Sequence, residues 1–560
     1  MNQLAPNTKF HRVSLAGVTL LLAATFMALK KLDALGIPIP FAITLLFGVS
    51  LFILLIYELL VVFKTPLKIL GSILFSGCRG MLKNFYIIRI LKRYPSLIPW
   101  IKARFSTQYP TGIMLTMGVA SSILFLSVFF RILEDILLKN PLLGVDQRMV
   151  SLLPSIWTPE QTRFFVFVTF LANWQSILFV SMVMIAALTL WKKQYVHTVV
   201  FFGALIGSEG IAFILKHLVG RLRPEDVALI REEGFSFPSG HAIVATIIFG
   251  FLGYLMIRSS KHPLVKIFSF VGCLIGVLLV GASRIYLGVH FLSDVLAGMA
   301  LGCFFLSIAV TAIEINKKYE FFRQPKIDHF KSLLLIPTAL LLFSFGFNTR
   351  FIHVQAIKSS EADRVLKEVN DNTISQLPTY SETLTGAMME PISFIYIGSE
   401  EQIQTLFSRY GWYKADPLNL STLLKGLSMV LKNKEYLTGP VTPSYINGKP
   451  EDLAFQQPTE NSTFRERHHT RLWKTNYVLP DNRSIWEGTA SFDQGMRLGP
   501  YYLPTHSIAP NIDAERDYIV RSLGFSSVPY VQISDPHLGQ NSAGDQFFTD
   551  GKAAMIELSN

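Results

Sequence analysis

Nine apolar segments of bilayer-crossing length occupy most of the first two thirds of this chain of 560 residues. A helix that crosses the hydrocarbon core of a membrane needs roughly 17–25 mainly apolar residues. The segments lie at about 13–29, 39–63, 112–130, 164–190, 198–215, 242–257, 267–282, 291–312 and 332–347. Because the mean hydropathy is +0.39 and only 16% of the residues are charged, this part is predicted to be an all-α polytopic membrane protein.

Basic residues between the apolar segments predict the orientation of the chain in the membrane. Residues 64–104 contain nine Lys and Arg and no Asp or Glu. Such connections stay in the cytoplasm, so this one and the N-terminus are predicted to be cytoplasmic. The net charge of +12 is then a property of the membrane surface, and no nucleic-acid partner is expected.

Three polar motifs stand at the ends of these apolar segments. They are Lys216-x6-Arg223-Pro224, Pro238-Ser239-Gly240-His241 and Ser283-Arg284-x5-His290-x3-Asp294. Counting crossings from the basic connection places all three at the outer face of the membrane. Ionisable groups at a membrane boundary are costly and usually functional. The motifs are therefore predicted to form one site.

The residue types in the motifs suit the handling of a phosphoryl group. The three cations Lys216, Arg223 and Arg284 can surround its nonbridging oxygens. Charge stabilisation of this kind is the core of phosphoryl-transfer catalysis. Ser239 and Gly240 directly precede an apolar helix, so their backbone N–H groups are predicted to point at the anion.

The two histidines of the motifs are candidates for covalent and acid–base chemistry. His290 and Asp294 are four residues apart, which puts both on one helix face. The carboxylate can hold one imidazole nitrogen and leave the other free to attack phosphorus. His241 can donate and recover a proton near neutral pH.

Together the three motifs resemble the signature of the type 2 phosphatidic acid phosphatase superfamily, over roughly residues 110–313. The resemblance implies a six-helix bundle, a phosphohistidine intermediate on His290, orientation of His290 by Asp294, and His241 as the acid for the leaving group. It implies no metal and no cofactor. The substrate class it implies is a lipid phosphomonoester or pyrophosphate, such as phosphatidic acid, phosphatidylglycerol phosphate, undecaprenyl pyrophosphate or a lipid A phosphate.

The predicted protein is thus a phosphatase of the bacterial inner membrane with its active site on the periplasmic face. Two alternatives stay open. In a lipid phosphotransferase, a hydroxyl group would intercept the phosphohistidine instead of water. In a catalytically silent protein, the bundle would be a membrane scaffold or a lipid-binding anchor for the C-terminal domain.

Apolar segments and composition together divide the chain into five parts. Residues 1–110 are predicted to hold two spans and the basic cytoplasmic segment, 111–313 the phosphatase domain, 314–355 the ninth span, 356–382 a linker, and 383–560 a soluble α+β domain. The ninth segment is only about 24 Å long as a helix. The sequence therefore leaves open on which side of the membrane the soluble domain lies.

Four short sequence segments of the C-terminal domain resemble the LssY-like C-terminal domain family. They are Gly411–Asp416, Asp452–Gln456, Arg467–Trp473 and Asp513–Asp517. Strands are predicted at 391–397, 467–474 and 484–492, and helices at 400–410 and 513–523. A polar site for an anion or a metal is one interpretation of His468, His469, Arg471, His506 and Asp513, together with Arg516. The preferred alternative is ordinary strand alternation, with Asp513 capping a helix.

Overall fold

The fold is that of a computed structural model with side chains. It describes residues 93–106, 112–138, 140–170, 173–186, 195–224, 227–319, 364–366, 371–374, 376–418, 434–459, 466–498, 504–542 and 544–558, and single positions between 422 and 429. The predicted spans at 13–29, 39–63 and 332–347 lie outside these residues. The chain forms two compact units, the first built from 1–134, 158–223 and 230–355, and the second from 135–157, 224–229 and 356–560.

The first unit is helical in its described part. Its helices are α1 (Leu97–Arg104), α2 (Ile113–Leu137), α4 (Pro159–Phe170), α5 (Trp174–Ala186), α6 (Tyr195–Val219), α7 (Gly240–Ser259), α8 (Pro263–Tyr286) and α9 (Leu292–Tyr319), while α3 (Leu142–Ile156) belongs to the second unit. Five of them, α2, α6, α7, α8 and α9, are long and apolar enough to cross a membrane. The predicted apolar helical region followed by an α+β region is confirmed.

One predicted span has a different structure. The segment 164–190 corresponds to two shorter helices, α4 and α5, and Asn173 lies between them. Hydropathy is averaged over a window of residues. A helix break that introduces only one polar residue therefore does not show in the average.

Helix α7 is the central helix of the first unit, because it packs against α6, α8 and α9. Glycines on α9 allow the closest of these contacts. A Cβ atom at Gly298 would lie 2.6 Å from the carbonyl oxygen of Ser239, and one at Gly302 would lie 2.7 Å from the Cβ of Thr246. Both distances are shorter than side-chain atoms tolerate, so the close approach of α9 to the start of α7 depends on glycine.

The second unit is built around a large, mainly antiparallel sheet. Its strands are β1 (Arg364–Val365), β2 (Tyr380–Glu382), β3 (Met388–Gly398), β4 (Tyr413–Lys414), β5 (Tyr445–Ile446), β6 (Lys449–Pro450), β7 (Leu453–Pro458), β8 (Glu466–Val478), β9 (Ser484–Leu498), β10 (Pro504–Ile508), β11 (Tyr530–Gln532) and β14 (Lys552–Glu557). The main path runs β4-β7-β8-β9-β3-β2-β5-β6, and β14 pairs in parallel with β3. A separate hairpin joins β12 (His537–Gln540) to β13 (Gln546–Thr549).

Besides α3, the described part of the second unit contains three further helices: α10 (Asp371–Ile374), α11 (Glu400–Arg409) and α12 (Ile512–Ser522). Ser399 and Gln402 form a capping box at the start of α11. The N-cap of α12 is Asn511, whose side chain accepts from the Ala514 N–H, so the expectation that Asp513 caps this helix is wrong. Asp513 instead lies in the first turn, where its charge favours the helix dipole.

The two faces of the central strands differ in character. One face packs on α11 and α12 through a continuous apolar core that includes Phe394, Tyr396, Phe407, Leu472, Trp486 and Ile519. The other face carries buried polar side chains at alternate positions of β8 and β9, namely Arg467, His469, Arg471, Glu487, Thr489, Ser491 and Asp493, beside Trp473. Side chains alternate along a strand, so one strand supplies both faces.

Candidate active site

The predicted cations converge in the first unit from three separate elements. Lys216 lies in the last turn of α6, Arg223 in the loop that follows it, and Arg284 in the last turn of α8. Arg284 is fully buried, and its Nη1 donates to the hydroxyl of Thr169, 2.6 Å away. Arg223 donates from Nη1 to the Val289 carbonyl at 2.9 Å. Each guanidinium is therefore fixed by a neighbouring element before any anion arrives.

A carboxylate of the protein occupies the space between the two guanidinium groups. Glu232 pairs with Arg284 and lies 3.2 Å from Nη1 of Arg223. The Glu232 carboxylate also interacts electrostatically with the ammonium group of Lys216. Against the cost of burial, chiefly the attraction of Arg284 lowers the pKa of Glu232 to about 2. Glu232 therefore stands, as an anion, where the three cations would hold a phosphoryl group.

His290 follows α8 after a tight turn in which Gly288 has a φ of +67°, a conformation that glycine adopts without strain. Its Nε2 lies 3.1 Å from Nη1 of Arg223. A guanidinium only donates, so Nε2 is the acceptor and carries the lone pair. Nδ1 then carries the proton and lies 3.5 Å from Oδ2 of Asp294.

The imidazole of His290 is neutral in this environment. Burial, followed by the charges of Arg284 and Arg223, lowers the pKa of His290 well below its usual value. A neutral ring with its proton on the nitrogen near Asp294 has a lone pair on the side of the cations. This is the protonation state that a nucleophile requires.

Asp294 is itself held by Arg221, which the superfamily pattern leaves unassigned. Nη1 of Arg221 donates to Oδ1 of Asp294 at 2.7 Å, and also to the hydroxyl of Ser293 at 2.7 Å. The same guanidinium lies 4.1 Å from the centroid of the Phe291 ring. The N–H of Phe291 donates to Oδ2 of Asp294. Arg221 therefore acts as a structural partner that orients the aspartate.

His241, the second residue of α7, contacts a residue that the motifs do not contain. Its Nε2 lies 2.9 Å from Oδ1 of Asn173, between α4 and α5. The imidazole ring of His241 interacts electrostatically with three charged groups of the site, Arg284, Glu232 and Lys216. His241 is thus part of the same site, and Asn173 sets its orientation. The break in the predicted span 164–190 is what brings Asn173 there.

The backbone groups of the second motif differ from the prediction. The N–H of Ser239 donates to the carbonyl of Asp294 at 3.0 Å, so it does not point at an anion. The close packing of α9 at Gly298 brings that carbonyl within reach. The Gly240 N–H belongs to the first turn of α7 and has no acceptor within its own helix. Gly240 lies beside Nζ of Lys216 and the carboxylate of Glu209.

The predicted C-terminal residues do not form one cluster. His468 faces α12, stacks on Tyr518 and lies 2.9 Å from Oε1 of Glu515. His469 and Arg471 lie on the opposite face of the sheet, beside Asp493 and Glu390 respectively. His506 is a residue of β10, opposite Met496.

Asp513 lies in a third place, at the start of α12. It accepts from the Asp550 N–H and pairs with Arg516. The prediction of one anion or metal site from these residues is therefore corrected. Among the described residues, no group of three or more His, Cys, Asp or Glu side chains is arranged to hold a metal ion.

The apolar helices of the first unit hold three cations around a histidine–aspartate pair, an arrangement that suits a phosphoryl group. Comparison with known families agrees at the level of the domains. Residues 197–318 match the model of the PAP2 superfamily, and residues 374–553 match the model of the family described as the LssY C-terminus. The two predicted family resemblances are thereby confirmed.

Curated relatives of the phosphatase domain act on lipid-linked phosphates, according to their names. Phosphatidylglycerophosphatase B of Bacillus subtilis is 42% identical over 93 residues, which are 16% of this chain and 44% of the relative. Lipid A 1-phosphatase of Rhizobium etli is 30% identical over 20% of this chain and 47% of the relative. Decaprenylphosphoryl-5-phosphoribose phosphatase of Mycobacterium tuberculosis is 33% identical over 21% of this chain and 62% of the relative.

Those alignments cover roughly half of each relative's length. A crystal structure is also similar, that of a transmembrane PAP2-type phosphatidylglycerolphosphate phosphatase from Bacillus subtilis. It is 24% identical, with a TM-score of 0.31, and the match covers 37% of this chain and 98% of that protein.

Proposed function

We propose that this protein is an integral membrane phosphatase that hydrolyses a phosphomonoester or a pyrophosphate on a lipid through a phosphohistidine on His290. One observation carries the proposal. Arg223 donates to Nε2 of His290, while Asp294 lies at Nδ1. The lone pair of the neutral ring therefore faces the cations that would hold the phosphoryl group.

In the first step, the phosphoryl oxygens displace Glu232 from Arg223 and Arg284. They also take over the hydrogen bond that Arg223 donates to Nε2 of His290, which frees the lone pair of that nitrogen. Nε2 of His290 then attacks phosphorus, and the bond from phosphorus to the leaving oxygen breaks. His241 gives its proton to that oxygen, so that the lipid alcohol or lipid phosphate departs in protonated form. The charge on the equatorial oxygens is balanced by Lys216, Arg223 and Arg284.

In the second step, water attacks the phosphohistidine. His241 accepts a proton from this water, the bond between phosphorus and Nε2 breaks, and inorganic phosphate leaves. Asp294 keeps the proton of His290 on Nδ1 in both steps. The cationic side chains supply the charge that a metal ion would otherwise supply, so the reaction is proposed to be metal-independent.

The PAP2 match and the names of the relatives support a lipid as the substrate. The apolar helices carry the site next to the hydrocarbon, so a headgroup can enter while its tails remain in lipid. The charge of the cytoplasmic connection at 64–104 supports a periplasmic position for the site in the inner membrane of a bacterium.

The test is phosphate release by the purified full-length protein in nanodiscs with EDTA present. The substrates are phosphatidic acid, phosphatidylglycerol phosphate, undecaprenyl pyrophosphate and lipid A. The wild type should release phosphate from at least one of them, and His290→Gln should not. His217→Gln is the matched control, because His217 is an exposed histidine of the same motif.

Three other outcomes have distinct meanings. Absence of release by the wild type from every lipid would reject the phosphatase and favour the scaffold. Consumption of the lipid only when a hydroxyl acceptor is added would favour the phosphotransferase. Loss of activity in EDTA with recovery on adding a divalent ion would reject the metal-independent mechanism.

A further inference from the structure

Two polar side chains in the sheet of the second unit are buried together at one cross-strand position. Trp473 on β8 is directly opposite Glu487 on β9, so both side chains project from the same face. Trp473 is 3% exposed and Glu487 is 2% exposed. They lie on the face opposite the apolar core that contains Trp486.

Neither side chain satisfies its hydrogen-bonding capacity within the described part of the chain. Nε1 of Trp473 and Oε1 of Glu487 are both buried, and no described residue is their hydrogen-bond partner. A buried polar group without a partner costs about 1–3 kcal/mol. Such groups are rare in native proteins, and an absent ligand or water is one of the usual reasons for them. By contrast, Nε1 of Trp486 donates to the carbonyl of Gly398 at 3.1 Å.

Trp473 and Glu487 both line the same cavity, which has a volume of about 320 Å³. At about 30 Å³ per water molecule, this space holds roughly ten waters. It also matches the lower end of ligand pockets, about 300–1,000 Å³. The remaining lining includes three exposed cations and several amide and hydroxyl groups: Arg364, Lys449, Lys474, Asn447, Asn476 and Tyr477.

The charges of this lining indicate the class of ligand. Burial raises the pKa of Glu487 to about 8, so its carboxyl is protonated at neutral pH and can donate. Trp473 also donates. With three cations against the single carboxylate Asp452, the mouth attracts an anion and repels an amine. The hydrogen-bond donors at the floor of the cavity suit hydroxyl groups of a ligand. The cations at its mouth suit a phosphate group on the same ligand.

We propose that this cavity binds a small phosphorylated polyol or sugar, with Trp473 and Glu487 hydrogen-bonding the ligand at its floor. The ligand is either a free metabolite or the headgroup of a lipid, because both present the same hydroxyl and phosphate chemistry. The proposal concerns the second unit alone, so it stands independently of the chemistry proposed at His290.

The test uses the full-length protein in nanodiscs, in a His290→Gln background that prevents turnover of the probes. Free probes are glycerol 3-phosphate and glucose 6-phosphate, with glycerol and glucose as uncharged references. The lipid probe is a phosphatidylcholine vesicle that contains phosphatidylglycerol phosphate. Binding is measured by titration calorimetry for the free probes and by flotation with the vesicles.

The informative variant is Trp473→Phe, which removes the donor and keeps an aromatic ring in the core. Its affinity for the bound probe should fall about tenfold, because one hydrogen bond to a hydroxyl group of the ligand is lost. Its unfolding temperature without ligand should fall less than that of Trp486→Phe, because the N–H group that it removes has no partner among the described residues. The matched control Trp486→Phe should lose stability and keep the affinity of the parent.

Each outcome decides the proposal. Binding of a free probe, or of the vesicle alone, that weakens in Trp473→Phe supports it and identifies the source of the ligand. Absence of binding by every probe overturns it. So does binding that is equal in the parent and in Trp473→Phe, because the anion would then be held elsewhere.

Discussion

Replacing Glu232 by glutamine is expected to increase the affinity of the active site for phosphate. In the absence of a ligand, the Glu232 carboxylate pairs with Arg284 and lies 3.2 Å from Arg223. An incoming phosphoryl group has to displace it from both guanidinium groups. Glutamine keeps the size of the side chain and removes the competing charge.

The magnitude follows from the electrostatics of the pair. The pKa of Glu232 falls from its usual 4.5 to about 2, which corresponds to about 3 kcal/mol. Burial of the same site lowers the pKa of Arg223, which means that the cation bears a desolvation cost that offsets part of this stabilisation. The Ki of inorganic phosphate should therefore fall by about tenfold to a hundredfold in Glu232→Gln.

Glu232→Gln is expected to lower the stability of the folded protein, although it raises the affinity for phosphate. Because the pKa of Glu232 is depressed in the folded protein, its stabilisation is present above about pH 4.5 and is lost as the pH falls towards 2. At neutral pH without phosphate, Glu232→Gln should therefore unfold at a lower temperature than the wild type. Added phosphate should restore more stability to the variant than to the wild type.

The assay is inhibition of lipid hydrolysis by inorganic phosphate, together with thermal unfolding with and without phosphate. Glu233→Gln is the matched control, because Glu233 is the adjacent, exposed carboxylate. It should change neither quantity. A Glu232→Gln variant that binds phosphate no more tightly than the wild type would refute the reasoning.

Three further predictions concern the supports of the site. Arg221→Gln should lower kcat about a hundredfold while the Ki of phosphate stays unchanged, because it misplaces Asp294 without touching the cations; an equal loss in both would contradict this. Asn173→Ala should lower kcat about tenfold and change its pH profile, because His241 loses its partner; an unchanged pH profile would argue against that role. Gly298→Val should destabilise the protein by about 1–3 kcal/mol in thermal unfolding, because its Cβ would lie 2.6 Å from a backbone oxygen, and a variant as stable as the wild type would exclude this close contact.

The cations and the histidine–aspartate pair of the site could be predicted from the sequence because each lies at the end of an apolar segment. Ionisable groups are costly there and are usually functional. Hydropathy and the number of predicted membrane crossings were sufficient to place these residues at the same face of the membrane. Glu232 lies in the loop before Pro238, and its pairing with Arg284 depends on how that irregular loop folds. No local pattern specifies that contact.

Arg221 and Asn173 show a second limit of prediction from the sequence. Both orient a predicted site residue from another element, through single hydrogen bonds. Motif positions identify residues that act on the substrate, whereas a supporting residue has no fixed spacing from the residue it supports. The Ser239 amide was misassigned for the same reason, since the carbonyl of Asp294 reaches it only through the packing of α9 on α7.

In the C-terminal domain, strand alternation predicted the elements better than it predicted a site. The helix at 400–410 is present with almost the predicted ends. The strands at 467–474 and 484–492 are present as well, and they run four and six residues further than predicted. His468 and His469 are adjacent in the sequence and lie on opposite faces of the sheet. Adjacent residues of a strand cannot share a face, so sequence proximity was a poor guide to a common site.

The central claim is a covalent phosphohistidine, and the stereochemical course of the reaction tests it most directly. A phosphate ester made chiral at phosphorus by oxygen isotopes is hydrolysed in isotopically labelled water, and the configuration of the released phosphate is determined by NMR. Two successive in-line displacements, one by His290 and one by water, predict retention of configuration. Inversion would mean that water attacks the substrate directly, and it would contradict the role assigned to His290.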